Sequence, residues 1–428
     1  MSIRILVLGG GGREHAIVKG LARSPQRPEI FCAPGNPGIA TEATCLPYLD
    51  PVDPVAVTAR ARELEIDLVA VGPEAPLVAG VVDALDEAGI AAFGPSGAAA
   101  QLEGSKAYAK EAMAEAGVPT AGYGVVTSRD FALAKVAETG CPVVLKADGL
   151  AAGKGVLICL SEAEAYEAIE VFFTEQRFGE TTVVVEEFLE GEELSLLAIC
   201  DGVRAIPLAP AQDYKRIGEG DTGPNTGGMG SYSPVQTVSS DQLAELSATV
   251  HQPIVDLMAR RGHPFHGVLY AGLMMTKDGP KVLEYNTRFG DPETQAVLPR
   301  LQSDLVDLFL ASSFSDGLNE KAVSFSDEFA VTVVLASAGY PASASKGDVI
   351  TGLERAAESA EVVHAGTREQ NGQIVTAGGR VLNLTGLGPD AATARDRAYD
   401  AADAVNFDGK QMRRDIAERA VRRERDEQ

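Results

Sequence analysis

The first hundred residues alternate between short apolar runs and longer amphipathic stretches, and this alternation restricts the possible fold most. The apolar runs have the length of buried strands, whereas the amphipathic stretches fit helices. Strands that are separated by helices pair in parallel, so we predict a doubly wound α/β domain here. The predicted strands are 3–8, 29–33, 67–71 and 91–94, and the predicted helices are 14–24, 53–65 and 77–89. The loops expected to meet a ligand at the carboxyl ends of the strands are 9–13, 34–38 and 72–77.

The glycine-rich loop after the first predicted strand is a candidate phosphate site. Gly10, Gly11 and Gly12 precede a predicted helix, so N–H groups at the helix N-terminus could hold a phosphate, with Arg13 assisting. A dinucleotide fingerprint would need a glycine where Glu14 stands, so nicotinamide or flavin binding is not expected. A tight strand–helix turn without a ligand is the alternative that these residues leave open.

Length and composition exclude several classes of protein. A chain of 428 residues is expected to form two to four domains, and its net charge of −24 argues against a nucleic-acid backbone as the main partner. No apolar run reaches the ~18 residues of a membrane span, and the first run is too short for a signal peptide. The five cysteines are scattered and lie mostly in apolar runs, which is typical of a cytoplasmic protein with reduced thiols.

Beyond residue 105 the strand-like runs are expected to pair as hairpins. The runs at 143–148 and 155–160 flank a glycine-rich tip, and the run at 267–286 turns at a Lys-Asp-Gly sequence. Residues 212–234 are rich in glycine and poor in apolar residues, so we predict a long functional loop there. The other predicted features are a capping box at Ser161 and Glu164, strands at 329–337 and 373–384, and a helix at 390–405.

The segment 283–295 carries the strongest sign of chemistry. Successive side chains on a strand point to opposite faces, so Glu284 and Asn286 share one face, with Arg288 beyond them. Two hard oxygen donors beside an arginine suit Mg²⁺ that carries phosphate oxygens. By themselves these residues fit a polar strand end with a surface ion pair equally well.

Three further segments are candidates for a nucleotide and substrate site. Lys146 lies in an apolar run before the glycine-rich tip at 149–155, where an ammonium group needs a phosphate or a carboxylate partner. The tip is not a P-loop, because Gly155 stands where Ser or Thr would reach Mg²⁺. Residues 186–193 fit either an adenine hinge or a strand that ends in an acidic turn. Residues 212–216 fit either a solvated surface or a clamp for charged substrate groups.

Seven motifs follow one another along the chain: 9–16 (GGGGREHA), 72–77 (GPEAPL), 102–106 (LEGSK), 146–155 (KADGLAAGKG), 212–216 (QDYKR), 225–230 (NTGGMG) and 284–295 (EYNTRFGDPETQ). In this order they resemble the ATP-grasp ligases and, more narrowly, the glycinamide ribonucleotide synthetases (phosphoribosylamine–glycine ligases) of purine biosynthesis. The resemblance covers nearly the whole chain. One position departs from it, at Thr287, where a small residue such as Cys or Ala is expected; this side chain should point away from the metal-facing side.

The resemblance implies a multidomain fold of the α/β and α+β classes. It places an N-terminal doubly wound parallel α/β domain at 1–103 and a two-lobed ATP-grasp unit at 104–325. A mobile lid lobe would lie at about 122–190 within that unit, and a small C-terminal α+β domain would occupy 326–428.

The resemblance also implies a reaction. ATP would phosphorylate the carboxylate of glycine, and the amine of 5-phosphoribosylamine would attack the glycyl phosphate, giving glycinamide ribonucleotide, ADP and phosphate. Mg²⁺ or Mn²⁺ would accompany ATP, and the protein would act as a monomer or weak homodimer without nucleic-acid or membrane partners. The alternatives are another ATP-grasp carboxylate–amine ligase, a purine-pathway carboxylase relative, or a non-catalytic or nicotinamide-binding module.

The same resemblance assigns roles to residues of these motifs. Glu284 and Asn286 would hold the metal, and Arg288, Lys146 and Asp213 would act in catalysis. The expected ATP-binding residues are Lys106, Lys146, Gly149, Gly153, Lys154, Gly155, Glu186, Glu187, Phe188, Leu189 and Glu193. The expected substrate-binding residues are Gly10, Gly11, Gly12, Arg13, Glu14, Gly72, Pro73, Glu74, Asp213, Lys215, Arg288, Gly290 and Asp291.

Two expectations concern the surroundings of the chemistry. An acyl phosphate hydrolyses readily, so a lid must exclude water; the hairpin tip at 149–155 and the loop at 212–234 are the candidates. Asp291 and Glu293 are expected mainly to build the turn that follows the metal-binding strand.

Overall fold

The apolar runs of the first hundred residues form a parallel sheet, which confirms the class predicted for this part of the chain. The computed structural model describes residues 2–150, 155–179, 182–319 and 321–427. The elements of the first part are β1 (Arg4–Gly9), α1 (Gly12–Ala22), β2 (Glu29–Pro34), β3 (Thr44–Cys45), α2 (Pro54–Glu63), β4 (Leu68–Val71), α3 (Glu74–Val78), α4 (Val81–Glu87), β5 (Ala91–Phe93) and α5 (Gln101–Gly104). The strand order is β3–β2–β1–β4–β5, and each neighbouring pair is parallel. The carboxyl ends of β1 and β4 therefore open toward the same edge.

The helix predicted at 77–89 is wrong in its bounds. The structure has two helices here, α3 and α4, and Gly80 lies between them with a φ of 80°. Such a left-handed backbone interrupts a right-handed helix and is readily adopted only by glycine. Glu74, at the start of α3, follows the end of β4 by three residues and so lies at the carboxyl end of the sheet.

The middle of the chain forms two antiparallel four-stranded sheets. Its elements are α6 (Lys106–Ala116), β6 (Tyr123–Val126), α7 (Arg129–Thr139), β7 (Val143–Ala147), β8 (Val156–Cys159), α8 (Glu162–Phe173), β9 (Val183–Glu187), β10 (Glu192–Asp201), β11 (Ala205–Pro207), β12 (Gln212–Asp213), β13 (Arg216–Gly218), β14 (Thr222–Asn225), β15 (Gly230–Ser233), α9 (Ser240–Val250), α10 (Gln252–Arg260), β16 (His266–Thr276), β17 (Gly279–Asn286), α11 (Glu293–Val297) and α12 (Leu305–Ser312). One sheet has the order β6–β9–β7–β8, and the other has the order β11–β10–β16–β17. The predicted hairpins β7–β8 and β16–β17 are present. These sheets form the two lobes of the expected ATP-grasp unit.

The capping box predicted for α8 is only half formed. The Ser161 hydroxyl accepts a hydrogen bond from the N–H of Glu164, as expected. The carboxylate of Glu164, however, accepts from the N–H of Leu160 at 2.8 Å, one residue before the cap. The serine therefore predicted the start of the helix correctly. The second hydrogen bond of a capping box, from the N-cap N–H to the glutamate, is replaced by one from the residue before it.

The last part of the chain is an α+β unit whose sheet includes strands from the middle part. Its elements are β18 (Phe329–Ala336), α13 (Leu353–Ala356), β19 (Glu361–His364), β20 (Thr367–Gln370), β21 (Gln373–Thr376), β22 (Arg380–Gly388), α14 (Ala391–Ala404) and α15 (Glu418–Glu427). The sheet order is β12–β15–β18–β22–β19. The single strand predicted at 373–384 is two strands, because the chain turns between β21 and β22 at Gly378 and Gly379. In the described residues, no helix combines the length and apolar character that crossing a bilayer needs.

The prediction of one long loop at 212–234 is wrong. This segment contains four short strands, and β15 pairs with β18 in antiparallel register, Gly230 facing Val333. A side chain at Gly230 would put its Cβ 2.6 Å from the carbonyl oxygen of Thr332, so the glycine allows the two backbones to approach. A local pattern could not show this pairing, because the partner strand lies far along the chain.

Three aromatic rings join the N-terminal sheet to the middle part. Phe93 on β5 stacks on Phe309 of α12 with ring centroids 3.8 Å apart, and Phe289 lies 5.9 Å from Phe309. All three rings are almost completely buried. Phe289 lies three residues beyond the end of the candidate metal-binding strand β17, so this aromatic cluster holds the end of that strand near the first sheet.

We predict that Phe309→Ala lowers the free energy of unfolding by about 3–5 kcal/mol, because it leaves a cavity in this cluster. Phe131→Ala is the matched control: that ring is 66% exposed, and its loss should cost less than about 1 kcal/mol. Urea unfolding followed by circular dichroism measures both changes. Equal losses for the two variants would contradict a structural role for the cluster.

Candidate active site

The three parts of the chain surround a cavity of about 950 Å³. Arg13 comes from the N-terminal part, Lys146 and Glu284 from the middle part, and Arg380 from the last sheet. The predicted site residues in its wall are Arg13, Glu74, Lys106, Lys146, Gly149, Gly155, Glu186, Glu187, Phe188, Leu189, Glu193, Asp213, Lys215, Glu284, Asn286, Arg288 and Asp291. Gly153 and Lys154 lie outside the described residues. Charged side chains from distant segments thus share one interior space.

A buried cluster of two lysines and one glutamate lies on the side of the cavity formed by α6 and β9. Glu186 Oε2 is 3.0 Å from Lys146 Nζ and 3.1 Å from Lys110 Nζ, and all three side chains are buried. A phosphate and a carboxylate were both considered as the partner of Lys146, and the structure provides the carboxylate, Glu186. Burial lowers the pKa of Lys110 to about 8, although Glu186 opposes this shift. With two cations against one carboxylate, the cluster offers positive charge to an anionic ligand.

Lys106 connects α6 to the hairpin whose tip was predicted to cover phosphates. Its ammonium group donates to the carbonyl oxygen of Gly149 at 2.9 Å. The cap of the same helix, Ser105, donates to Asp148 Oδ2 at 3.1 Å. Burial lowers the pKa of Lys106, and the nearby Lys146 adds to this effect, whereas Glu284 opposes it. The start of the hairpin tip is thus hydrogen-bonded to Lys106, the first residue of α6.

Glu284 and Asn286 lie at the end of β17 and both contribute to the cavity wall. Burial by itself would raise the pKa of Glu284, but Lys215, Lys146 and Lys106 lower it overall, so the carboxylate is charged. The side-chain oxygen of Asn286 accepts a hydrogen bond from Arg288 at 3.3 Å. The alternative of a surface ion pair does not hold, because this segment lines an interior cavity.

Two carboxylates from the N-terminal part hold Arg288. Its guanidinium lies 2.8 Å from Glu103 Oε1 and 3.4 Å from Glu74 Oε2. Glu103 also accepts hydrogen bonds from the N–H and hydroxyl groups of Thr287, at 2.7 and 3.2 Å. Burial would lower the pKa of Arg288, but Glu103 and Glu74 raise it overall. Thr287 is buried and contacts Glu103, so the departure from the expected small residue adds a hydrogen bond to this network.

A second polar network joins side chains of β10, β12, β16 and the start of α11. The hydroxyl groups of Ser195 and Tyr270 are 3.3 and 3.1 Å from Glu293 Oε1, and the Ser195 hydroxyl is also 3.4 Å from Asp213 Oδ1. Burial raises the pKa of Asp213 to about 7; Lys215 opposes the shift and Glu293 adds to it. Glu293 was expected mainly to build the turn, and it also lines the cavity.

The glycine-rich loop after β1, where a phosphate site was predicted, contributes only Arg13 to the described cavity wall. The described wall includes Arg13, but not Gly10, Gly11 or Gly12. The carboxylate of Glu14 accepts from the N–H of Gly11 at 2.6 Å and therefore occupies the N-terminus of α1. Arg13 pairs with the same carboxylate at 2.6 Å. The predicted phosphate loop is thus closed by its own glutamate in this structure.

The remaining predicted substrate-binding residues are Gly72 and Pro73 of the N-terminal part and Gly290 and Asp291 of the middle part. A Cβ at Gly72 would lie 2.3 Å from Glu14 Oε1, so the glycine makes room for this carboxylate. Pro73 precedes α3 and is not in the described wall, and Gly290 is likewise absent from it. Asp291 does line the cavity, where Arg380 is 3.2 Å from its carboxylate.

Comparison with known proteins places this site in a family. Residues 3–103 match the N domain of phosphoribosylglycinamide synthetase, residues 104–294 its ATP-grasp (A) domain and residues 330–419 its C domain. A phosphoribosylamine–glycine ligase of Streptomyces coelicolor is 51% identical over 423 residues, which cover 98% of this chain and 100% of that protein. The chain belongs to the phosphoribosylglycinamide synthetase family.

Solved structures support the family and its fold. A crystal structure of a phosphoribosylamine–glycine ligase from Thermotoga maritima is 36% identical, with a TM-score of 0.85 over 96% of this chain and 100% of that chain. The biotin carboxylase domain of the 2-oxoglutarate carboxylase of Hydrogenobacter thermophilus is 18% identical, with a TM-score of 0.70 over 95% of this chain and 91% of that chain. The second likeness shows the ATP-grasp fold alone.

The oxygen donors of β17 fit the metal that was predicted for this family member. A carboxylate and an amide oxygen, two residues apart on one face of a strand, are hard ligands of the kind that Mg²⁺ and Mn²⁺ accept. Within the described ranges, no group of three His, Cys, Asp or Glu side chains is placed to hold a metal ion. Glu284 and Asn286 would therefore leave most coordination positions to phosphate oxygens and water.

Four residues of the site in this family member were missed from the sequence. Glu103 and Lys110 hold other charges, and Arg380 and Tyr270 reach the cavity from β22 and β16. Lys110 could have been found, because it lies one helical turn after Lys106 on α6. Glu103 could also have been found, since it lies within the motif 102–106. Arg380 and Tyr270 carry no local signal, since their partners are distant in the sequence.

We predict that Glu186→Gln lowers the free energy of unfolding of the unliganded protein by about 3 kcal/mol or more, because it leaves two buried lysines without a counter-charge. Glu187→Gln is the matched control: this adjacent glutamate is 43% exposed and pairs with Lys281, so its loss should cost less than about 1 kcal/mol. Urea unfolding at neutral pH measures both. If the two variants lose equal stability, the buried cluster does not hold this wall together.

Proposed function

We propose that the protein joins glycine to 5-phospho-D-ribosylamine at the expense of ATP, giving glycinamide ribonucleotide, ADP and phosphate. The observation that carries this proposal is the separation of charge around one cavity in a chain of this family. Cations from α6 and β7 lie on one side, the Glu284–Asn286 pair lies between, and Arg288 lies near the N-terminal part. Such a site can bring two anions, a carboxylate and a phosphate, together.

The first step is the transfer of a phosphoryl group. A carboxylate oxygen of glycine attacks the γ-phosphorus of ATP, the bond to the β-phosphate oxygen breaks, and ADP leaves with that electron pair. Lys106 and Lys146 would offset the charge of the phosphates, and Arg288 would stabilise the charge that is transferred. Mg²⁺ or Mn²⁺ held by Glu284 and Asn286 would neutralise further phosphate charge when bound.

The second step forms the amide bond. The amine of phosphoribosylamine attacks the acyl carbon of glycyl phosphate, phosphate leaves, and the amine loses a proton. No side chain of the protein becomes covalently modified. Because water competes with the amine for the acyl phosphate, we propose that the lobe built on the β6–β9–β7–β8 sheet closes over the cavity during this step.

The amine substrate is assigned to the N-terminal side of the cavity. Arg13 and Glu74 line the cavity there, and Glu14 covers the N-terminus of α1. We propose that Gly10, Gly11 and Gly12 take up the ribose phosphate when Glu14 moves aside, with Gly72, Pro73 and Gly290 shaping the pocket. Gly149, Gly153, Lys154 and Gly155 would cover the phosphates of ATP, and Glu186, Glu187, Phe188, Leu189 and Glu193 would surround its adenine and ribose.

The domain boundaries, the cellular location and the oligomeric state are also proposals. We assign the N-terminal domain to 1–103, the ATP-grasp unit to 104–325 with its lid lobe at about 122–190, and the C-terminal domain to 326–428. We further propose that the protein works in the cytoplasm as a monomer or weak homodimer. Sedimentation of the purified protein tests the oligomeric state, since a stable higher oligomer would contradict it.

We predict that ADP is released only when ATP, glycine and freshly prepared phosphoribosylamine are all present with Mg²⁺. A coupled assay of ADP release measures this requirement, with omission of each substrate as the control. Folded protein that shows no glycine-dependent turnover would overturn the proposed reaction and favour another ATP-grasp ligase or a carboxylase relative.

We predict that Glu284→Ala lowers turnover by more than about 100-fold, because the metal that accompanies ATP loses its carboxylate ligand. Asp278→Ala is the matched control, since this exposed carboxylate lies at the turn of the same hairpin, remote from the cavity. The assay of ADP release at ordinary Mg²⁺ compares the two. Near-normal activity of the Glu284 variant would refute the assignment.

A further inference from the structure

The edge of the last sheet is held by side chains of the N-terminal part. β19 is the outermost strand of that sheet in the part of the chain that the structure describes. At His364, where β19 ends, the backbone N–H donates to His15 Nδ1 at 2.8 Å, and the carbonyl oxygen accepts from Asn36 Nδ2 at 3.0 Å. Buried backbone groups need such partners, so these two side chains seat the edge of the sheet.

The hydrogen bond from His364 fixes the position of the hydrogen on the His15 ring. A ring nitrogen that accepts an N–H carries no hydrogen itself, so His15 is the neutral tautomer with its hydrogen on Nε2. On that side the ring faces Glu42 Oε1 at 3.7 Å, and Lys19 Nζ pairs with the same oxygen at 2.9 Å. Burial by itself would raise the pKa of Glu42, but His15 and Lys19 lower it to about 2. A charged carboxylate therefore favours the same tautomer.

The same contacts reach the glycine-rich loop after β1. Asn36 Nδ2 also donates to the carbonyl oxygen of Gly10 at 2.9 Å. A Cβ at Gly38 would lie 2.4 Å from His15 Cε1 and 2.6 Å from His364 Cγ, so the loop after β2 packs directly against both rings. His15 and Asn36 thus join α1, the loops after β1 and β2, and the end of β19.

From His364 a short ladder of backbone hydrogen bonds leads to the cavity. The N–H groups of residues 365 and 366 donate to the carbonyl oxygens of Val381 and Arg380, at 3.0 and 2.9 Å. The guanidinium of Arg380 lies 3.2 Å from the carboxylate of Asp291 and donates to the carbonyl oxygen of the same residue at 2.7 Å. The position of this arginine therefore depends on where the end of β19 is held.

The pair of Arg380 and Asp291 lies beside the glycine-rich loop. A Cβ at Gly11 would be 3.8 Å from Asp291 Oδ2, the oxygen that Arg380 contacts. Both members of the pair line the cavity, on the side assigned to the amine substrate. A chain of contacts thus runs from His15 through β19 and β22 and returns to the start of α1. A shift at His15 would move a cation of the cavity wall relative to this loop.

We propose that His15 is a positioning residue for phosphoribosylamine, and that its Nε2–H tautomer sets Arg380 and the glycine-rich loop through the backbone of His364. This inference rests on the proposed function and deepens it. His15 is not in the described cavity wall, so it acts on the substrate through the segments that it joins. The cations of the ATP side come from α6 and β7, outside these segments, so nucleotide binding should not depend on His15.

The first test separates the two ring nitrogens by substitution. His15→Asn places an amide oxygen near the position of Nδ1, where it can accept from the N–H of His364. His15→Gln places its amide near the position of Nε2 and leaves that buried N–H without an acceptor. Calorimetry measures the binding of glycinamide ribonucleotide, the amide product that carries the same ribose phosphate, and of ATP with Mg²⁺. We expect the Kd of the product to rise at least about tenfold in His15→Gln and less than about threefold in His15→Asn, with the Kd of ATP within about twofold of the parent.

Two further variants define the specificity of the effect. His263→Gln is the matched control, since this histidine is exposed in the turn before β16, and it should change neither Kd. Asn36→Ser keeps a hydroxyl that can accept from the N–H of Ile39, as the Asn36 side chain does at 2.9 Å, but it cannot reach the carbonyl oxygen of His364. It should weaken binding of the product in the same direction as His15→Gln.

Wild-type protein gives a second readout that does not depend on the folding of a variant. The chain has five histidines, so long-range ¹⁵N–¹H correlation spectra of histidine-labelled protein distinguish the rings, and the signal that is lost in His15→Asn belongs to His15. We expect this ring to carry its hydrogen on Nε2 at neutral pH. A hydrogen on Nδ1 would contradict the hydrogen bond from His364 and with it the inference.

The outcomes separate this inference from the function on which it rests. Wild-type protein that neither binds the product nor shows glycine-dependent turnover overturns the proposed function itself. Where the wild type does both, equal product binding by His15→Asn and His15→Gln overturns the positioning role alone. A loss of ATP binding in His15→Gln as large as the loss of product binding overturns it too, since that pattern indicates general destabilisation.

Discussion

Compensation of buried charge is the constraint on which this structure depends. The cavity wall brings lysines, arginines and carboxylates from three parts of the chain into one interior space, and an unmatched ion there would cost several kcal/mol. Glu186 therefore sits between Lys110 and Lys146, and Arg288 sits between Glu103 and Glu74. These pairs add little net stability over apolar packing, but they determine which strands and helices can meet around the cavity.

The same compensation explains what the site is prepared to bind. On the side of α6 the protein holds excess positive charge, and at β12 and α11 it holds excess negative charge. Lys215 and Arg288 act electrostatically on the carboxylates of β12 and α11 without forming ion pairs with them in the described protein. The cavity therefore presents regions of opposite charge, which agrees with the proposed binding of phosphates and an amino acid.

Much of the site could be predicted from the sequence where the signal is local. Glu284 and Asn286 are two residues apart on one predicted strand, and Arg288 lies just beyond it. The structure has this strand as β17. The parallel sheet and the hairpin β7–β8 were predicted for the same reason. The failure arises where a distant partner decides: strand pairing with β18 orders the segment 212–234, which was expected to be a loop.

The C-terminal sheet has a consequence for how the chain is made. Strands β12 and β15 precede β18 by roughly a hundred residues of synthesis, yet β15 pairs with β18, and β18 in turn pairs with β22. During translation the edge of β15 stays unpaired until those later strands leave the ribosome, and an unpaired edge is open to wrong partners. Completion of the site is thus coupled to completion of the chain, since Arg380 at the start of β22 is one of the last groups to reach the cavity.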